Sequence, residues 1–176
     1  MMKSSWKIGM AIAAILLISL IGTASAIRSI GRNPDALELL QGKSGTFTIT
    51  VTGDYNTTNG LFEVDIEEQE QGQGLNPAGF YVVIKNSTGA VLASGYGNNT
   101  VSTSGVSYIS NQTTTLYVDI TNNNAPQGDY IVTFTANDGG NKCTKGILYA
   151  CLQSSEIPEF ATIAVPVAAL LLLIFV

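Results

Sequence analysis

Residues 46–52 read Thr46-Phe47-Thr48-Ile49-Thr50-Val51-Thr52, and this stretch decides the fold class. Apolar and hydroxyl side chains alternate at every position. Successive side chains of a β-strand point to opposite faces, so Phe47, Ile49 and Val51 would share one face and the four threonines the other. The stretch therefore predicts a strand with one buried face and one hydrated face.

The same alternation recurs along the central part of the chain. It is strong in residues 61–66, 80–85, 115–121 and 130–136, and weaker in 36–40, 91–96, 106–109 and 146–152. Turn-forming Gly, Asn, Asp and Pro residues separate these segments, and no amphipathic helix pattern lies between them. Seven to nine short strands in this length predict a single all-β domain, an antiparallel β-sandwich.

A turn and strand in residues 125–132 refine this prediction. The sequence Ala-Pro-Gln-Gly-Asp-Tyr-Ile-Val resembles the P-x-G-x-Y-x-V segment of immunoglobulin-like domains that are common in archaeal surface proteins. The resemblance implies an immunoglobulin-like β-sandwich with Tyr130 and Val132 in its core. The alternation itself assigns the aromatic residues Phe47, Phe62, Phe80 and Phe134 to the core as well.

The N-terminus has the features of a secretory signal peptide. Lys3 and Lys7 precede a long apolar segment, and Ala24-Ser25-Ala26 has the small-x-small form of a signal peptidase site. We expect cleavage after Ala26, which leaves Ile27 as the first mature residue. An uncleaved N-terminal anchor and a type IV pilin are the alternatives.

The C-terminus combines the tripeptide Pro158-Glu159-Phe160 with an apolar run that reaches Val176. This arrangement resembles the PEF-CTERM sorting signal of archaeal surface proteins. The resemblance implies that an archaeosortase-like enzyme removes the hydrophobic helix and transfers the protein to a membrane lipid. A plain transmembrane anchor that is never cut and a buried core helix are the alternatives. The predicted domains are a signal peptide (1–26), an extracellular sandwich (27–155) and the sorting segment with its transmembrane helix (156–176).

Charge and composition limit the partners and the chemistry. Removal of Lys3 and Lys7 with the signal leaves six basic residues against thirteen acidic ones, a net charge of −7. Such a surface disfavours nucleic acid as a partner. The chain has no histidine, which excludes Ser-His-Asp catalysis and most zinc sites. No glycine-rich phosphate loop occurs, so we expect neither an enzyme nor a cofactor.

Four N-x-S/T sequons lie at or beside predicted turns and are candidate glycosylation sites: Asn56, Asn86, Asn98 and Asn111. An acidic run covers residues 63–70. Most of it reads as a solvated strand face and loop, but Glu63 and Asp65 share one face and form a weak Ca²⁺ candidate without EF-hand spacing.

Cys143 and Cys151 are the two cysteines. In a secreted domain a pair favours a disulfide. If residues 143–151 were one strand, the two Cα atoms would be roughly 26 Å apart, too far for a bond that needs less than about 7 Å. The bond therefore requires a chain reversal, for which Lys145-Gly146 is the best place. Free or intermolecular thiols are the alternative.

These features predict a glycosylated archaeal protein, secreted to the cell surface, with a structural or adhesive role in the envelope. Its expected partners are the membrane, an archaeosortase-like enzyme, and envelope proteins or polysaccharide. One alternative is a carbohydrate- or calcium-binding module, with the sugar near Tyr55, Tyr96 or Tyr108. Another is a fibre subunit that assembles through an edge strand, for which the polar arm 27–35, with Arg28 and Arg32, is the candidate.

Overall fold

The computed structural model describes residues 27–53, 56–70, 72–137 and 145–155. These residues form ten strands, and a short 3-10 helix, Pro77–Gly79, lies between the fourth and the fifth. The strands are β1 (Ile27–Asn33), β2 (Ala36–Leu40), β3 (Ser44–Gly53), β4 (Thr57–Glu68), β5 (Phe80–Asn86), β6 (Val91–Tyr96), β7 (Val101–Tyr108), β8 (Thr113–Asn122), β9 (Gly128–Asn137) and β10 (Lys145–Ser155).

The strands form two sheets of five. The first sheet has the order β1-β3-β8-β5-β6, and the second has the order β2-β10-β9-β4-β7. The predicted all-β sandwich is confirmed. Seven of its eight strand pairings are antiparallel, whereas β2 pairs parallel with β10. A purely antiparallel arrangement was therefore wrong at this edge, because the chain crosses between the sheets at Pro34 and Asp35 and β2 then runs in the direction of β10.

The core lies between the two sheets and is built from the alternating residues. Phe47, Ile49 and Val51 are fully buried, as the pattern in residues 46–52 predicts. Phe47 meets Phe134 of the opposite sheet edge to face, with ring centroids 5.3 Å apart. Burial of side chains of this size stabilises the fold by roughly 1.5–3 kcal/mol each.

The alternation does not predict β1, and the fibre alternative offers residues 27–35 as a polar arm for a neighbouring subunit. In the structure this segment pairs with β3 of its own chain, and Ile27 is buried. A register shift between Ile27 and Ser29 breaks the period of two, which explains why the alternation was not visible. The arm is therefore used within the chain as the edge of the first sheet.

The strand β7 is longer than its predicted part, residues 106–109. Gly105 has φ +77°, a left-handed conformation that glycine adopts without strain. The pairing of β7 with β4 shifts register at this point, so the residues before and after Gly105 follow different alternation. The irregularity hid the first half of the strand from the pattern.

Candidate functional site

Ile27 and Ser155 lie at opposite ends of the sandwich, measured along the strand direction. A Cβ placed on Gly146, near the start of β10, would meet Ile27, the first residue of β1. Ser155 ends β10 nine residues later, about 30 Å away at 3.3 Å per residue. We call the pole at Ile27 the distal pole and the pole at Ser155 the exit pole.

The residues that carry the predicted processing signals lie outside the described part of the chain. They are Ala24 and Ala26 at the signal peptidase site and Pro158, Glu159 and Phe160 in the sorting signal. Both signals stay predictions. Within residues 27–53, 56–70, 72–137 and 145–155, no helix is long and apolar enough to cross a membrane.

Two sequons meet at the distal pole although they are far apart in sequence. The Oδ1 atom of Asn56 accepts a hydrogen bond of 2.8 Å from the backbone N–H of Ser110, the neighbour of Asn111. The N–H of Asn111 donates to the carbonyl oxygen of Gly53 at 2.9 Å. Both asparagines are exposed, so the fold holds two candidate attachment sites side by side.

The third sequon, Asn86-Ser87-Thr88, forms the turn between β5 and β6. The Oδ1 atom of Asn86 accepts three hydrogen bonds, from the N–H of Thr88 (3.0 Å), the hydroxyl of Thr88 (2.7 Å) and the N–H of Ala90 (2.9 Å). Asn86 also lines a cavity of about 240 Å³. The carboxamide is therefore fixed in orientation at the rim of a cavity.

The fourth sequon lies in the turn after β6, and its threonine is engaged. The hydroxyl of Thr100 donates to Oδ1 of Asp65 in a short hydrogen bond. Asn98 itself is exposed, and its Oδ1 accepts from Nδ2 of Asn99 at 3.1 Å. In the folded chain this sequon therefore has its hydroxyl held by the acidic strand β4.

The calcium candidates Glu63 and Asp65 share the outward face of β4, as the alternation predicts, because they stand two residues apart. No group of three or more Asp, Glu, His or Cys side chains suited to a metal ion occurs in the described residues. Ca²⁺ usually takes six to eight oxygen ligands. In the described residues, no third side chain of these four types joins Glu63 and Asp65 in such a group.

The three tyrosines considered as sugar-binding residues differ in their exposure. Tyr96 is 56% exposed and meets Tyr81 edge to face at 5.4 Å. Tyr55 lies outside the described residues. Tyr108 was wrongly considered a surface ligand, since it is fully buried and its hydroxyl donates to the carbonyl oxygen of Leu61 at 3.2 Å. Burial also raises the pKa of the Tyr108 phenol well above its usual value.

A charged contact on the outer face of the first sheet was missed. Nζ of Lys85 in β5 lies 2.6 Å from Oδ2 of Asp119 in β8, and the hydroxyl of Thr46 in β3 donates to Oδ1 of Asp119 at 2.6 Å. Burial alone would raise the pKa of Asp119, but the hydrogen bonds from Lys85 and Thr46 and the charge of Lys85 hold it below its usual value. No local sequence pattern predicts this contact, because the three strands are distant in sequence.

The structure describes one of the two cysteines, Cys151 in β10. Cys151 is exposed and forms no disulfide within the described part of the chain, whereas Cys143 lies outside it. The reversal that an intramolecular bond requires at Lys145-Gly146 is absent, because β10 pairs continuously with β9 from Lys145 to Ser154.

Comparison with known proteins gives likeness of shape only. No protein-family model matches the chain, and no curated protein matches its sequence. Similar solved structures include domains 4 and 5 of the S-layer protein SbsC (11% identity, TM-score 0.40, covering 74% of this chain and 53% of that one). A CARDB domain from Pyrococcus furiosus in complex with di-metal ions matches with 13% identity and a TM-score of 0.40, covering 72% of this chain and 84% of that one.

A third similar structure is AvmM, described as the catalyst of macrocyclization in alchivemycin A biosynthesis. It has 11% identity and a TM-score of 0.49, and the match covers 77% of this chain and 92% of that one. The chain spans about half of the SbsC fragment, 53% of its length. One of these proteins is an S-layer protein and another catalyses macrocyclization, and the matches carry no functional argument.

Proposed function

We propose that the chain is a membrane-anchored archaeal cell-surface glycoprotein with a structural or adhesive, non-catalytic role in the envelope. One observation carries the proposal: the sandwich fits between the two predicted processing signals. The ten described strands, from β1 at Ile27 to β10 at Ser155, all lie within the predicted extracellular segment 27–155, between the predicted signal peptide and the predicted sorting segment. Removal of either segment would leave every described strand intact.

The positions of Ile27 and Ser155 at opposite poles support an orientation on the cell. A C-terminal anchor, either the helix itself or a lipid added by an archaeosortase-like enzyme, holds the exit pole next to the membrane. The distal pole, with Asn56 and Asn111, then faces outward, where glycans stand in solvent and meet neighbouring proteins or polysaccharide. The threonine-rich outer face of β3 gives a neutral, hydrated surface for such lateral contacts.

Intact-mass spectrometry of the native protein extracted from cell membranes tests this proposal. We expect a mass that lacks residues 1–26 and the tail after about Phe160, with added lipid and sugar. A mass that retains the chain to Val176 and carries no lipid would reduce the C-terminus to a plain anchor. A bare polypeptide recovered from the soluble fraction would overturn the surface role.

A second candidate function, carbohydrate binding, is favoured by one observation. The exposed Tyr96 and the half-buried Tyr81 form an aromatic pair on the outer face of the first sheet, and the hydroxyl of Tyr81 donates to Oγ of Ser94 at 3.0 Å. Exposed tyrosine rings with hydroxyl neighbours suit the apolar and polar edges of a sugar. Loss of glycan-array binding in Tyr96→Ala, but not in Tyr149→Ala, would support it, because Tyr149 is equally exposed on the other sheet.

A further inference from the structure

A cavity opens between the β5–β6 turn and the strands β7 and β8. Its volume is about 240 Å³, smaller than the roughly 300–1,000 Å³ that drug-sized ligands occupy. Its apolar surface comes from Leu92, Val106 and Leu116, of which Val106 and Leu116 are buried core residues. The size suits a single ring rather than an extended ligand.

The lining has the polarity that a neutral sugar requires. Beside the three apolar residues stand the hydroxyl side chains of Ser104, Ser107 and Thr115, and none of the lining residues is charged. A pyranose ring presents C–H groups on its faces and hydroxyl groups at its edges, so an apolar wall with a hydroxyl rim complements it. A phosphate, a uronic acid or a metal ion would lack a charged partner in this cavity.

Asn86 connects this cavity to a covalent attachment point. Its Oδ1 is occupied by three hydrogen bonds within the turn, whereas its Nδ2 makes none in the described part of the chain. Nδ2 is the atom that a sequon asparagine offers to a glycan. Since Asn86 and Ser87 both line the cavity, a sugar attached here begins at the cavity rim.

We propose that the cavity seats the first sugar of a glycan carried by Asn86, so that the protein binds its own modification. The inference rests on the glycosylation in the proposed function. In the attachment step a bond forms between Nδ2 and C1 of the sugar. The C1–O bond to the phosphate leaving group of an activated glycosyl donor breaks, and the phosphate keeps its electron pair. The proton that Nδ2 gives up passes to solvent.

A seated sugar covers residues that are otherwise exposed. Ser104, Gly105 and Ser107 of β7 are exposed in the bare polypeptide, and the left-handed Gly105 leaves this part of the edge strand irregular. A ring packed against these residues would restrict their opening. Backbone amides of residues 104–107 therefore report whether the sugar is seated or merely attached.

The test uses the full chain from a host that glycosylates sequons. Thr88→Ala removes the sequon but keeps Asn86 and its two backbone hydrogen bonds, and Thr88→Ser keeps the sequon as the matched control. Glycopeptide mapping should find a glycan on Asn86 in the wild type and in Thr88→Ser. Hydrogen exchange at residues 104–107 should be about threefold slower or more in these two proteins than in Thr88→Ala.

The same three proteins, produced in a host without glycosylation, show how the Thr88 substitutions alone affect hydrogen exchange. There, exchange at residues 104–107 should be equally fast in all of them. A glycan on Asn86 that leaves exchange unchanged would overturn the proposal, and so would an empty Asn86. If Asn86 is empty while other sequons carry sugar, the surface glycoprotein assignment stands without the seated sugar. If no sequon carries sugar, the glycoprotein part of the proposed function fails.

Discussion

Asn122 in β8 donates a hydrogen bond of 3.0 Å from Nδ2 to the carbonyl oxygen of Leu39 in β2, and this bond joins the two sheets in the protein interior. Nδ2 also donates to Oγ of Ser154 in β10 at 2.9 Å, and Oδ1 accepts from the N–H of Ala125 at 2.9 Å. Ser154 in turn donates to the carbonyl oxygen of Ala125 at 3.0 Å. One fully buried amide thus connects three strands and a turn.

Replacement of Asn122 by Ala should destabilise the domain by about 2–4 kcal/mol, because several buried polar groups lose their partner at once. Asn123→Ala is the matched control, since the Asn123 side chain is exposed, and it should change the free energy of unfolding by less than about 0.5 kcal/mol. Urea unfolding measures both. Equal effects of the two variants would show that the Asn122 amide contributes little to sheet packing.

The sequence predicts the strands because alternation is local, whereas the role of Asn122 is not. Residues 122–127 read as a turn, and nothing near Asn122 indicates that Leu39 and Ser154, 83 and 32 residues away, will surround it. The same reason explains why the contact between Lys85 and Asp119 escaped prediction. Pairings across a sheet depend on topology, and alternation reports only which face a residue occupies.

Irregular backbone positions account for the other differences between the predicted and the observed strands. The register shift near Ile27 concealed β1, and Gly105 concealed the first half of β7. The burial of Tyr108, in contrast, was visible in the sequence: Tyr108 stands two residues after Val106 and so belongs to the same face of the strand. The sequons were found from sequence, but the meeting of Asn56 with Ser110 and the cavity at Asn86 required the tertiary structure.

Gly60 in β4 should not tolerate a side chain. A Cβ at this position would clash with the ring of Tyr108 and with the carbonyl oxygen of Val106. We expect Gly60→Ala to destabilise the domain by about 1–3 kcal/mol, as overpacking of a core does. Thermal unfolding of Gly60→Ala beside Asn59→Ala, an exposed neighbour, tests this. A Gly60→Ala variant as stable as Asn59→Ala would mean that the β7 edge moves away at no cost.

The contact between Lys85 and Asp119 should make the stability of the domain depend on pH. The pKa of Asp119 is lowered in the folded state, so its contribution is present above the unfolded value of about 3.9 and is lost as the pH falls through the folded value. The wild type should therefore exceed Asp119→Asn in stability at pH 6, by roughly the 0.2–1 kcal/mol of a surface ion pair, and lose that advantage near pH 2.

Urea unfolding at both pH values measures this difference. Asp129→Asn is the control, because Asp129 is exposed and belongs to neither of the two salt bridges described. If the difference in the free energy of unfolding between wild type and Asp119→Asn were the same at pH 6 and pH 2, the interaction with Lys85 would not contribute to stability.

Cys143 and Cys151 should not form an intramolecular disulfide. β10 is extended from Lys145 onward, which places the Cα atoms of Lys145 and Cys151 about 20 Å apart. Cys143 is two residues before Lys145, and two residues reach at most about 7 Å. We therefore expect the two cysteine Cα atoms to lie more than about 12 Å apart, beyond the limit of about 7 Å for a disulfide.

Alkylation of the denatured protein without prior reduction measures the thiols directly. We expect two alkyl groups per chain, or one where the exposed Cys151 has bonded to a second molecule, a species that a non-reducing gel separates as a dimer. Cys151→Ser should then give one alkyl group and no dimer through this position. A monomer with no alkyl groups and a cross-linked peptide joining the two cysteines would contradict the extended course of β10.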